Sequence, residues 1–311
     1  MGGDGEVIQK NLFGEKIRPK EIEIFIFADE KKNVSERWDY IAILIIPFEK
    51  IDNALEILNA HRQEINYYYE LKFSNISKAR GKKFELAERW ITEIIEDGKR
   101  ERGIFYFHIL GIDRDNLDYT YFGEGETPKG KYANIYNRFF RTVFLGAVKE
   151  FFDNFDKIIV DTVFHDKEGH LQTHKYFPWH LIFKVEREEK NIKFKNKKIF
   201  FIESDHNKEK DFTKFSHFIQ LTDVIVGVVS YCLDFEKFSN KGYFKLGKIF
   251  LPLVDRLINN PKNKNSSFGY YKKYKVSFFP DKNGEVYQKR DIKLKNFIQN
   301  LQEIPGLLSQ S

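Results

Sequence analysis

EIEIFIFADE, residues 21–30, is apolar almost throughout and ends in two carboxylates, Asp29 and Glu30. WDYIAILIIPF, residues 38–48, repeats the pattern a few residues later. Short apolar runs rich in Ile and Phe read as strands, and the polar DEKKNVSERW segment between them suits a hairpin. Working outward, IFYFHILGI at 104–112, KIIVDTVF at 157–164 and KKIFFIESD at 197–205 read as further strands. Between them, helical spacing recurs over 48–61, 83–96 and 134–152, and the most apolar helix is expected over about 214–233. A hairpin followed by alternating helix and strand predicts an α/β protein with one mixed sheet flanked by helices. Strands at 21–29, 38–47, 104–112, 157–163 and 198–204 are expected in that sheet. A helix near 249–259 and a strand at 273–279 belong to a C-terminal basic extension. The expected division is a main domain over 21–240 and an extension over 241–311 packed on it or continuing it.

Composition bounds the function classes. The chain has 311 residues, with 32 Phe and 16 Tyr, enough apolar material for a substantial core. Cys232 is the only cysteine, so no intramolecular disulfide can form, and a reducing compartment, the cytoplasm, is the expected home. The longest unbroken apolar runs, 41–48 and 224–229, are too short to cross a bilayer. No GxxxxGK[ST] loop and no glycine-rich dinucleotide fingerprint is present. His165, His170, His174 and His180 crowd one stretch but lack the thiolates or the His-Glu-x-x-His pattern of a zinc site. Cys232 reads as a packing residue.

The net charge of +6 is unevenly placed. Between Lys241 and Val276 nine Lys and Arg face one acid, Asp255, leaving the rest of the chain slightly acidic. Within that window Tyr270-Tyr271-Lys272-Lys273-Tyr274 interleaves rings with cations, a pattern that can stack bases while holding phosphates. Lys272, Lys273, Tyr271 and Tyr274 are the expected nucleic-acid contacts; a solubilising surface is the alternative. Tyr67, Tyr68 and Tyr69 also sit in a polar segment.

The informative acids lie inside apolar elements. Asp29 follows Ile24–Ala28, Asp161 follows Ile158–Val160, and Asp223 interrupts IQLTDVIVGVV. A carboxylate in such a place must be paired, bound to a cation or set at a cleft, because desolvation penalises its charge. Three carboxylates that converge can hold hard divalent cations, and two such ions can activate water and steady a leaving oxygen in phosphodiester cleavage. Glu30 and Glu70 are possible further ligands, although Asp29 and Glu30, adjacent on a strand, should point to opposite faces.

FADE at 27–30, ELK at 70–72, IIVD at 158–161, ESD at 203–205 and IQLTDVIVGVV at 219–229 occur in the order found in the DUF3800 family of bacterial and archaeal proteins. Over residues 21–233 the chain resembles that family, whose expected fold is ribonuclease-H-like. The resemblance implies a Mg²⁺- or Mn²⁺-dependent nuclease, with Asp29, Glu70, Asp161 and Asp223 as metal ligands and catalytic acids and Lys72 as an electrostatic assistant. Lys31 stands where relatives commonly carry serine, and the stretch from Thr162 to Lys198 is longer and more charged than expected, two departures that bear on substrate type. Lys72 has a second reading, as a surface partner of the Glu70 neighbourhood. Gln220, three residues before Asp223 on one helical face, is expected to orient a ligand or water. Asp205 is a further candidate acid, and His165 a possible acid–base helper. The rival functions are a non-catalytic nucleic-acid or protein-binding module, and a metal-dependent hydrolase of a small phosphorylated substrate.

Overall fold

The computed structural model describes residues 20–31, 37–100, 102–122, 127–167, 179–235, 240–259, 269–280 and 292–302. Strands β1 (Glu21–Lys31) and β2 (Trp38–Pro47) pair antiparallel, with Asp29 opposite Ala42, as the hairpin reading expects. Helices α1 (Ile51–Ile65) and α2 (Lys82–Arg100) follow before the chain returns as β3 (Tyr106–Asp113), antiparallel to β2. Helix α3 (Pro128–Phe151) then carries the chain to β4 (Lys157–Asp166), which lies parallel to β1.

A one-turn helix α4 (Val185–Glu188) precedes β5 (Ile192–Phe194) and β6 (Ile199–Ile202), which pair with successive parts of β4. Helices α5 (Thr213–Asp234) and α6 (Lys241–Asn259) lead to β7 (Tyr274–Phe279), parallel to β3, and α7 (Lys293–Gln302) follows. The sheet order is therefore β5-β4-β1-β2-β3-β7, with β6 also on β4. Because β7 completes one edge of this sheet, residues 274–279 share the main chain's core rather than forming a surface layer.

Two cores follow from the alternation of side chains along the strands. Phe25, Phe27, Ala42, Leu44 and Phe107 face α1, α2, α5 and α6. Ile24, Ile26, Ala28, Ile43 and Leu110 face α3. The Phe surplus is largely spent here: Phe27 stacks on Phe164 at 5.4 Å and Phe107 on Tyr274 at 4.5 Å. Cys232 lies in the first core, fully buried, and burial pushes its thiol well above the usual range. It is a packing residue in this structure.

Helix α5 occupies the stretch where the sequence predicts the most apolar helix. It is long and apolar enough to cross a membrane, the one such helix among the described residues, and 89% of its apolar window is buried inside the protein. Unbroken apolar runs understate it because Ser216, Gln220 and Thr222 interrupt them. Those polar side chains are buried and bonded to backbone carbonyls at Glu203, Ser204 and Phe218.

Candidate functional site

Strands β1 and β4 end side by side, with Ala28 in register with His165. Alternation then sends Asp29 and Asp166 to the α5 face, and Glu30 and His165 to the α3 face. Asp223 comes down from the middle of α5 onto the first pair. Asp29 is 6% exposed and accepts a hydrogen bond from the Glu30 amide at 2.8 Å. Burial, followed by the charges of Asp166, Asp223 and Glu30, pushes its carboxyl well above the usual range. Asp223 is pushed up to about 6, first by burial and then by Asp166, against the Phe73 amide, Lys72 and Lys31. Asp29, Asp166 and Asp223 thus share one electrostatic neighbourhood, and its negative charge is costly.

Asp161, the expected partner on β4, lies elsewhere. It is the extra residue of a β-bulge, skipped between the pairs Ile24–Val160 and Phe25–Thr162. Its carboxylate accepts from the Thr162 hydroxyl at 2.8 Å and lies 3.4 Å from the Lys195 ammonium. Asp166 is five residues further along the strand, roughly 16 Å at the rise of a β-strand. The signal that identifies Asp166 is the parallel between FHD at 164–166 and FAD at 27–29. Each places an acid at the strand end, two residues after a core Phe.

The third wall is the loop after α1. Asn66 ends that helix in the left-handed conformation, φ 53°, which asparagine tolerates better than most residues, and the Asn66 and Tyr67 amides cap carbonyls of the last turn. The loop then runs past Glu70 and Lys72. Glu70 accepts from the Ser204 hydroxyl at 2.6 Å and lies 3.4 Å from the Lys72 ammonium. Burial works against the Lys72 charge, but Glu70, Asp166 and Asp223 outweigh it and hold the ammonium above its ordinary range. Lys72 thus pairs with Glu70 and lies in the field of Asp166 and Asp223.

Gln220 differs from its expected role of orienting a ligand. It is fully buried and accepts from Arg62 at 2.6 Å and from the Leu71 amide at 2.9 Å. Its own amide donates to the Ser204 carbonyl and meets His206 Nδ1 at 3.2 Å. Gln220 is thus committed to holding the 67–71 loop against the segment after β6. Asp205 likewise serves a local turn, accepting from the Asn207 amide at 3.1 Å and pairing with Lys208 at 3.2 Å.

On the opposite face His165 is fully buried, with Nδ1 at 2.8 Å from the Asp166 carbonyl oxygen and Nε2 against the Tyr136 hydroxyl. That hydroxyl also donates to Glu30 at 3.0 Å. His165 and Glu30 therefore support the strand ends from behind rather than share the cluster of Asp29. His170 and His174, and the side chain of His180, lie outside the described residues.

The basic window also departs from expectation. Lys273 and Tyr274 are buried, Tyr271 is 9% exposed, and of the four expected contacts only Lys272 is exposed. Counting charges along a sequence is blind to burial, and here Lys273 Nζ turns inward to the carbonyl oxygen of Asp97 at 2.9 Å.

Phe73 ties the loop to Asp223: its amide donates to the carboxylate at 2.6 Å, and its ring packs against Gly227 and stacks on Tyr243 at 4.3 Å. A Cβ at Gly227 would overlap that ring. Gly227→Ala is expected to cost about 1–3 kcal/mol of stability by overpacking, offset in part by the better helix propensity of alanine. Urea unfolding measures this, and a variant as stable as the parent would show that the ring moves freely.

Among the described residues, no three His, Cys, Asp or Glu side chains are arranged to hold a metal ion. Asp29 and Asp223 each commit one carboxylate oxygen to a backbone amide. No family model, curated protein or solved structure matches the chain.

Proposed function

We propose that the chain is a divalent-metal-dependent nuclease of the ribonuclease-H-like kind, acting at the cluster of Asp29, Asp166 and Asp223. The observation that carries this reading is the juxtaposition of these three acids where β1, β4 and α5 meet, with Asp29 buried and Asp166 and Asp223 half-buried beside it. The strand order supports it too: three antiparallel strands, then a helical crossover to a strand parallel with the first, is the arrangement expected of a ribonuclease-H-like sheet.

The donor set fits a hard cation, Mg²⁺ or Mn²⁺, because every candidate ligand is a carboxylate oxygen and a cation would relieve their repulsion. Sharing one ion would require side-chain rotation within the cluster, since no three acids already surround a common point. When bound, such a cation makes water nucleophilic and steadies the leaving oxygen of a phosphodiester. Asp29, Asp166 and Asp223 would hold it, with Glu70 nearby. Lys72 would contact the phosphate and offset its charge as negative charge develops on the leaving oxygen.

The decisive comparison is Asp166→Asn against Asp161→Asn, assayed with Mn²⁺ on labelled DNA and RNA. Loss of cleavage in the first and near-normal cleavage in the second is expected. The reverse result would move the site down β4 and overturn this assignment. A parent protein that cleaves no DNA or RNA, yet is stabilised by Mn²⁺, would favour hydrolysis of a small phosphorylated substrate.

A further inference from the structure

The loop between α1 and α2 is built at considerable cost and shows two aromatic rings to solvent. Arg62 is 2% exposed, and burial lowers its guanidinium to about 10. Its donors go to the carbonyl oxygens of Tyr69 at 2.8 Å and Tyr67 at 3.3 Å, and to Gln220, while its guanidinium lies over the Trp90 ring at 4.9 Å. Asn207 donates to the Tyr68 carbonyl oxygen at 3.1 Å. A buried cation bonded to backbone carbonyls is an expensive way to hold a surface loop, and such supports are characteristic of positions that must be kept in a set geometry.

The side chains that this framework leaves in water are informative. Tyr68 is 52% exposed and Tyr69 72%, beside Glu70 and Lys72 of the candidate site. Tyr69 is braced edge-on against the buried Tyr67 at 5.8 Å, and the Tyr67 hydroxyl donates to the Glu70 carbonyl oxygen at 3.0 Å. Exposed aromatic rings on a rigid backbone lose little freedom when something stacks on them. Cations stand on both sides. Lys82 donates to the Asn66 carbonyl oxygen at 2.9 Å, and the exposed Lys208 follows Asn207, paired with Asp205.

We propose that Tyr68 and Tyr69 stack the unpaired bases of a single-stranded nucleic acid whose backbone passes Lys72. The proposal rests on the nuclease reading for its placement and names the substrate class of that site: a strand with exposed bases, since a duplex hides the base faces that the rings would cover. Lys72, Lys82 and Lys208 supply the phosphate-facing charge.

The test is fluorescence anisotropy with the full chain in EDTA, which separates binding from turnover. Short single strands of DNA and RNA, an abasic single strand and a duplex serve as probes. Tyr69→Leu is expected to weaken binding of the normal single strands by about tenfold, and Tyr68→Leu with Tyr69→Leu by more, while Tyr69→Phe retains most of the affinity. Duplex binding should be unmoved. The proposal is overturned if the parent binds the abasic strand or the duplex as tightly as the normal strand. Equal losses on Tyr69→Phe and Tyr69→Leu, or no loss at all, overturn it too. Binding that follows the rings in a protein that cleaves nothing keeps this inference and removes the nuclease reading. Cleavage of duplexes indifferent to both tyrosines does the opposite.

Discussion

Asp29→Asn is expected to abolish Mn²⁺-dependent cleavage, by about a thousandfold or more, and to raise the melting temperature in EDTA. The loss of activity follows from removing one ligand charge where all the ligands are carboxylates. The gain in stability follows from the cluster itself. Asp29 is buried beside Asp166, Asp223 and Glu30, and all of these penalise its charged form. Asparagine keeps the volume and a carbonyl oxygen to accept the Glu30 amide, and it removes the charge. An inactive variant that is also less stable would show that Asp29 holds the fold together rather than reserving its charge for a ligand. Mn²⁺ should then raise the melting temperature of the parent and not of the variant, because a ligand stabilises only the state that binds it.

Asp223 gives the same argument a pH axis. Its folded-state value of about 6 lies above the ordinary carboxylate value of 3.8. An acid with a raised folded value favours folding below its unfolded value, and this contribution is lost as pH rises through the folded one. In EDTA the parent should therefore lose stability between about pH 4 and 6. Asp223→Asn should remove that part of the slope. Saturating Mn²⁺ should oppose it as well, because a bound cation favours the ionised carboxylates.

Much of this arrangement was legible in the residues, and the failures have physical causes. The β1–β2 hairpin, β3, β4, β6 and β7 announced themselves as short, nearly unbroken apolar runs, whereas the three-residue β5 lies in a charged stretch and was missed. Asp29 and Asp223 stood out because nothing near them in sequence explained a charge. Asp161 stood out for the same reason, but the inference was incomplete. A bulge inserts one residue without any change in composition, and it turned Asp161 to a partner, Lys195, that is 34 positions away in sequence. Asp166 was missed because the apolar run stops at Phe164, whereas β4 continues through His165 to Asp166, with His165 buried against Tyr136 of α3. Gln220 was visible as a polar residue on the right face of α5. Its commitment to Arg62 and Leu71 joins segments about 150 residues apart, which no local pattern encodes.

The basic window shows the same limit at its sharpest, and the largest stability effects should arise there. Lys273 and Asp97 are 5% and 0% exposed at the side chain, with the ammonium 3.4 Å from the carboxylate. Asp97 also accepts from the Ile104 and Phe105 amides at 3.3 and 3.2 Å and from the Tyr274 hydroxyl at 3.3 Å. Gly98 lets this knot close, because a Cβ there would run into the rings of Tyr270 and Tyr274. One carboxylate thus joins the end of α2, the approach to β3 and the start of β7. Asp97→Ala is expected to cost about 3–5 kcal/mol, since it strips Lys273 of that buried counter-charge and leaves two amides without their acceptor. Lys273→Glu should be worse, placing a second carboxylate against the first in a dry site. Lys272→Glu, at the exposed neighbour, should stay within about 0.5 kcal/mol of the parent. Urea midpoints for the three variants, with Lys273→Met as an apolar control, decide the matter. If Lys273→Glu folds as stably as Lys272→Glu, the ammonium is not buried against Asp97, and residues 272–274 return to the surface as candidates for phosphate binding.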